Sequence, residues 1–218
     1  MITTLIFDLG AVLIDWHPKH LYKKIFKTDA EIDDFLTNIC TSHWNEEQDA
    51  GRSIKDGTEA LVKQFPEHEE NIRAYYGRWD EMLAGPIEDT LQIFTQLKQS
   101  GKYKLYALTN WSAETWPIAL SKYEFLNWFD GIVVSGHEGI RKPAPEFFQL
   151  LLDRYDIKPH EALFIDDNLR NVLAARAMGI ASIHFTSPEK LQEELKQFLK
   201  YPPPIGRNTQ YAHRNTNC

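Results

Sequence analysis

Between residues 86 and 200 the chain alternates two patterns. Short apolar runs suit buried strands, and longer stretches with apolar residues every three or four positions suit amphipathic helices. The pattern predicts strands over Tyr103–Thr109, Gly131–Ser135, Ala162–Ile165 and Ala181–Phe185. It predicts helices over Pro86–Ser100, around Ser112–Lys122, and over Pro145–Tyr155, Leu169–Met178 and Pro188–Lys200. Proline in a first turn and glycine just past an end, as at Pro86 and Gly101, are the usual helix punctuation. Gly179 closes another helix, and Pro117 is a candidate kink. Strands alternating with helices predict right-handed βαβ units and a parallel sheet, which the opening run Thr3–Phe7 should join.

Residues 17–85 follow the helical pattern alone. Thr28-Asp29-Ala30-Glu31 has the capping-box form ahead of Ile32, Phe35, Leu36 and Ile39. Ser53 can cap a second helix carrying Ala60, Leu61 and Phe65. The expected organisation is an α/β core from 1–16 and 86–200, a helical insertion at 17–85, and a tail at 201–218. Three consecutive prolines and mostly polar residues give that tail little to bury, so it is expected to be disordered.

The net charge of −7 argues against nucleic acid or an anionic membrane as the main partner. The two cysteines, Cys40 and Cys218, make no disulfide framework and suit a reducing compartment. With no signal-peptide pattern and no run near the roughly 18 apolar residues of a membrane span, the expected location is cytoplasmic. Nothing in the pattern fixes an oligomeric state.

Four polar clusters stand where the predicted strands end or in the loops beyond. They are Asp8 to Gly10, Leu108-Thr109-Asn110-Trp111, Gly139 to Pro143, and Phe164 to Asn171. Ligands of parallel sheets bind at the carboxyl ends of the strands. Asp8, Thr109, Asn110, Asp166 and Asp167 should therefore converge, within reach of Lys142. Carboxylates so close repel, and oxygen donors without His or Cys suit a hard cation such as Mg²⁺. Lysine can neutralise a bound anion, hydroxyl and amide groups can hold phosphate oxygens, and a carboxylate can be a covalent nucleophile. The combination predicts metal-assisted phosphoryl transfer with Asp8 as nucleophile.

These motifs resemble the haloacid dehalogenase superfamily of hydrolases. Phe7-Asp8-Leu9-Gly10 with Val12-Leu13, Leu108-Thr109-Asn110, Arg141-Lys142-Pro143 and Phe164-Ile165-Asp166-Asp167 through Asn171 occur in the family's order. The Asp-Leu-Gly opening looks similar to a branch of sugar-phosphate and epoxide-hydrolase-like phosphatases. The resemblance implies a Rossmann-like core with helices on both faces and a small helical cap. It also implies Mg²⁺ held by the Asp8 carboxylate, the Gly10 carbonyl and Asp167, with Asp166 assisting directly or through water. Thr109 and Asn110 would hold the phosphoryl group, Lys142 would pair with it and with Asp8, and Asn171 would order the fourth loop. Trp111 is expected in the substrate pocket. Trp16, Trp44, Tyr75, Tyr76 and Trp79 are expected in the core.

Gly10 departs from the pattern, since many phosphatases of the superfamily carry an acid–base Asp there. Asp15, His17 or a cap residue are the candidate substitutes. The expected function is hydrolysis of a small phosphorylated metabolite, a sugar phosphate being favoured because a good leaving group needs less acid. A metal-free 2-haloacid dehalogenase and a non-catalytic binder of phosphate ligands are the alternatives. Asp166-Asp167 weighs against the first, and Gly10 favours the second.

Overall fold

The computed structural model describes residues 1–203. Its elements are β1 (Thr4–Phe7), β2 (Ile14–Trp16), α1 (Pro18–Tyr22), α2 (Asp29–Asn38), α3 (Ser42–Asp49), α4 (Ile54–Gln64), α5 (Glu69–Gly77) and β3 (Leu83–Pro86). Then follow α6 (Glu88–Ser100), β4 (Lys104–Thr109), α7 (Trp116–Lys122), β5 (Gly131–Val134), α8 (Ser135–Glu138) and α9 (Pro145–Arg154). The chain continues through β6 (Ala162–Asp166), α10 (Leu169–Ala177), β7 (Ala181–His184) and α11 (Pro188–Phe198).

Five strands form one parallel sheet in the order β5-β4-β1-β6-β7. All four β1 residues are buried, as a central strand between two covered faces requires. Ile6 packs with Phe147, Phe148 and Leu151 of α9 on one face. Leu5 and Phe7 join a second cluster with Phe94 and Leu97 of α6 and Leu191 and Leu195 of α11. The chain crosses from β5 at one edge to β6 beyond β1, so the order reverses around β1. That switch point is where an open α/β sheet leaves a crevice.

Between β2 and β3 the chain is helical. The capping box forms as read: Glu31 N–H donates to Thr28 Oγ1 at 3.2 Å and Thr28 N–H to Glu31 Oε2 at 2.9 Å. Ser53 Oγ accepts from Asp56 N–H at 3.0 Å.

The structure differs from the pattern in several places, among them Ser135, which opens α8 where a strand end was expected. Pro86 does not open a helix; it ends β3, which pairs antiparallel with β2. Leu83-Ala84-Gly85-Pro86 has no β-branched residue, so its strand character comes from its partner. Pro117 lies in the first turn of α7 and kinks nothing. Ala60 is on the exposed side of α4. Tyr201, read as the start of a loose tail, is tied to the core: its N–H donates to Tyr103 Oη at 3.0 Å. The rest of that expected tail, from residue 204 and including Cys218, lies outside the described residues. Among the described residues, no helix is long and apolar enough to cross a membrane.

Candidate active site

Asp8 follows the central strand directly, and its N–H donates to the Ile165 carbonyl at 2.8 Å, extending the sheet pairing by one residue. Its Oδ1 accepts from Leu9 N–H at 2.8 Å and pairs with Lys142 Nζ at 2.9 Å. Oδ2 accepts no hydrogen bond among the described residues. Burial pushes the Asp8 carboxyl well above the ordinary aspartate value; Lys142 opposes the shift, and Asp166 and Asp167 add to it.

The turn after Asp8 is tight, with Leu13 N–H and Ile14 N–H both donating to the Leu9 carbonyl at 2.9 Å. Its left-handed residue is Ala11, at φ 58°, and not Gly10. A Cβ placed on Gly10 would meet nothing within 4 Å. The backbone therefore does not demand glycine there. The missing side chain leaves open space beside the proposed nucleophile.

Lys142 and Asp166 are both fully buried, with Nζ 2.7 Å from Oδ2. Burial works to lower the Lys142 pKa, but Asp166 and Asp8 outweigh it and hold the ammonium above its usual value. Asp166 Oδ1 accepts from Asn168 N–H at 2.7 Å, and Asn171 Nδ2 lies 3.1 Å from both Asp166 oxygens. Asp166 is thus saturated by donors. Asp167, the next residue, has an exposed side chain, and burial of its surroundings followed by the Asp166 charge raises its pKa.

Thr109 ends β4, is buried, and has no partner for its hydroxyl among the described residues. Asn110 is committed differently. Its Nδ2 donates to the Lys142 carbonyl at 3.0 Å and its Oδ1 accepts from Lys142 N–H at 2.8 Å. Its side chain therefore positions the lysine loop and keeps one amide N–H for a ligand.

Carboxylate oxygens of Asp8, Asp166 and Asp167 lie within 4.8 Å of one another. Three carboxylates against one ammonium leave an excess of negative charge. An all-oxygen set with that excess fits a hard divalent cation.

Beside these groups lies a cavity of about 50 Å³ lined by Gly10, Trp16, Asn45, Asp49, Tyr76, Trp79, Asn110, Trp111, Ser112 and Thr115. A larger depression of about 230 Å³, between α6 and α11, touches none of the motif residues. Trp111 is in the cavity wall as expected. Its backbone is clamped by Ser135 Oγ, which accepts from Trp111 N–H at 2.9 Å. Trp44 and Tyr75 are buried as expected, whereas Trp16, Tyr76 and Trp79 line the cavity as well as packing. The indole N–H groups of Trp16 and Trp111 have no partner among the described residues.

Neither single-residue acid candidate near the first motif lines this cavity. Asp15 pairs with His20 at 2.8 Å, and His17 Nδ1 accepts from Lys19 N–H at 3.0 Å as a helix cap. The residue missed by the sequence reading is Asp49. One local signal marks it: it is the last residue of α3, where the helix dipole disfavours a carboxylate.

A family model described as haloacid dehalogenase-like hydrolase matches residues 2–179. A sesquiterpene phosphatase of Aspergillus oryzae is 30% identical over 194 residues, covering 89% of this chain and 95% of that protein. A drimenol cyclase of Aspergillus calidoustus is 28% identical over 218 residues, covering 99% of this chain but only 39% of the longer protein. Among solved structures, a HAD family enzyme of Bacteroides thetaiotaomicron in complex with magnesium and inorganic phosphate superposes with a TM-score of 0.61 at 23% identity, covering 85% of this chain and 95% of that one.

Proposed function

The chain belongs to the haloacid dehalogenase-like hydrolases, and on that footing we propose that it is a Mg²⁺-dependent phosphomonoesterase. The observation that carries the reading is the state of Asp8. Its Oδ1 is held by Leu9 N–H and Lys142, while among the described residues Oδ2 accepts nothing and the Thr109 hydroxyl, at the same sheet edge, has no partner. A carboxylate so oriented is suited to attack phosphorus and form an aspartyl-phosphate. Thr109 Oγ1 would hold a phosphoryl oxygen, and Lys142 would balance the charge as the bond to the leaving group breaks.

Mg²⁺ would be held by Asp8, Asp167 and the Gly10 carbonyl. Bound there, it would neutralise the phosphoryl oxygens as a Lewis acid. Asp166, saturated by Lys142, Asn168 and Asn171, would anchor Lys142 in place of ligating directly. Asn110 and Asn171 would act through Lys142 and Asp166. The helical segment 17–85 would serve as the cap that bounds the cavity, with Trp111 across from it.

For the leaving group, a sugar is the favoured reading. Two unpaired indole N–H groups in one cavity call for acceptor oxygens, and aromatic faces suit the C–H faces of a ring. The second reading, an apolar terpenyl leaving group, is suggested by the sesquiterpene phosphatase relative and would leave both N–H groups unpaired. A metal-free dehalogenase is disfavoured by the uncompensated carboxylates beside an anionic substrate.

The test is phosphate release from sugar, terpenyl and aryl phosphates with Mg²⁺ or EDTA, using wild type and Asp8→Asn. Metal-dependent turnover lost in the variant is expected. Turnover that survives Asp8→Asn, or none by wild type on any substrate, would remove the reading; halide release without metal would replace it.

A further inference from the structure

The open space at Gly10 leaves the leaving group without the acid that many relatives of this architecture carry. We propose that Asp49 is the acid–base residue of this site, delivering from the helical segment the proton that Gly10 cannot. The inference rests on the phosphatase reading and adds a residue to it.

Asp49 shares the cavity wall with Gly10, Asn110 and Trp111. It is partly buried and has no ion pair among the described residues. A relay orients it. Asn45 Nδ2 donates to Asp49 Oδ2 at 3.0 Å, Tyr76 Oη donates to Asn45 Oδ1 at 2.9 Å, and Gln48 Nε2 donates to Tyr76 Oη at 3.3 Å. The Asn45 bond reaches Oδ2 and the Ser112 amide also faces the carboxyl, which when protonated still carries one O–H to give.

The helix carrying Asp49 is docked onto the motif loops by its neighbour Glu46. Arg141 and Arg170 both pair with Glu46, at 2.9 and 2.7 Å. The two arginines belong to the third and fourth motifs, so the acid is held over the same edge that presents Asp8. Glu46 is itself committed to both cations and cannot serve.

Burial pushes the Asp49 carboxyl up to about 7; Arg141 and the Ser112 amide pull it down, and Glu46 and Asp8 raise it. Tyr75 and Tyr76, the other titratable groups facing it, are themselves raised and stay neutral. A carboxyl in that range can both give and take a proton near neutrality.

The steps balance. Asp8 forms a bond to phosphorus as the bond to the leaving oxygen breaks, and the Asp49 proton passes to that oxygen, releasing the alcohol. The Asp49 carboxylate then takes a proton from water as its oxygen attacks phosphorus. The Asp8–phosphorus bond breaks, giving inorganic phosphate and both residues in their starting states.

The experiment is kcat/KM with Mg²⁺ for phosphate esters of increasing leaving-group basicity, from p-nitrophenyl to alkyl, with wild type and Asp49→Asn. Circular dichroism melting confirms that the variant is folded. An acid matters little for a good leaving group, so Asp49→Asn should stay within about threefold of wild type on the nitrophenyl ester and fall about 10²–10⁴-fold on the alkyl ester. Equal loss on both, or loss on neither, would overturn the assignment. The wild-type series decides without any variant: kcat/KM should be nearly flat, and a steep fall with basicity would overturn it. If wild type hydrolyses no ester at all, the phosphatase reading itself fails and takes the acid with it. That result is distinct from a wild-type enzyme that turns over without needing Asp49.

Discussion

Lys142 Nζ lies 2.7 Å from Asp166 Oδ2, and neither side chain reaches solvent. The pair is the rigid base on which Asp8 rests, since the same ammonium holds Asp8 Oδ1. Removing one partner of a buried pair leaves an uncompensated charge. Lys142→Met should therefore destabilise the fold by about 3–5 kcal/mol, measured by chemical denaturation. Lys142→Met combined with Asp166→Asn should recover much of that loss, while activity stays absent in both.

Thr109 predicts the opposite split. Its buried hydroxyl has no partner among the described residues, so Thr109→Val removes nothing the fold uses. Stability should hold or rise by about 1 kcal/mol. Phosphate release should nonetheless fall at least about tenfold, since one hydrogen bond to the phosphoryl group is lost. A large drop in melting temperature would show that the hydroxyl is structural.

Mutual repulsion among Asp8, Asp166 and Asp167 should make the metal-free protein responsive to Mg²⁺ without any substrate. Ligand linkage then raises the melting temperature with Mg²⁺ concentration. Asp167→Asn should abolish most of that rise and stabilise the metal-free form. An unchanged Mg²⁺ response in the variant would exclude Asp167 as a ligand.

The pH dependence of stability carries a sign. Asp49 is raised from 3.8 to about 7, so the folded protein binds its proton more tightly than the unfolded chain does. Its stabilising contribution is complete below about pH 4 and is lost as pH rises through 7. His17, lowered by burial and by His20 and Lys19, acts in the opposite direction on the same interval. The diagnostic is therefore the difference between proteins. Asp49→Asn should gain stability relative to wild type between pH 5 and pH 8, read from melting curves without metal.

Gly136, in α8, packs against the loop that follows β4. A Cβ there would stand 2.2 Å from Ala113 N and 2.7 Å from the Trp111 carbonyl oxygen. These are backbone atoms, which cannot swing aside. Gly136→Ala should cost about 1–3 kcal/mol and displace Trp111 from the cavity wall, seen as altered tryptophan fluorescence.

Much of this molecule could be read along the chain because the signals are local. Alternating apolar runs and helical spacings placed the five sheet strands within a residue or two, and with them Asp8, Thr109 and Asp166 at one edge. Gly101, at φ 61°, caps α6 just where helix punctuation put it. Other features depended on which distant groups meet. Leu83–Pro86 is a strand only because Ile14–Trp16 lies against it. Asn110 commits its oxygen and one amide N–H to a backbone 32 residues away, and Asp166 is saturated by Lys142, Asn168 and Asn171. Asp49 shares a cavity wall with Gly10 only because the helical segment folds back over the sheet edge. Sequence by itself determined the α/β architecture and the residues that converge, since periodicity and punctuation are properties of neighbours along the chain. Which polar atoms remain free to act was decided by the tertiary structure, because every donor has to be matched to an acceptor in space.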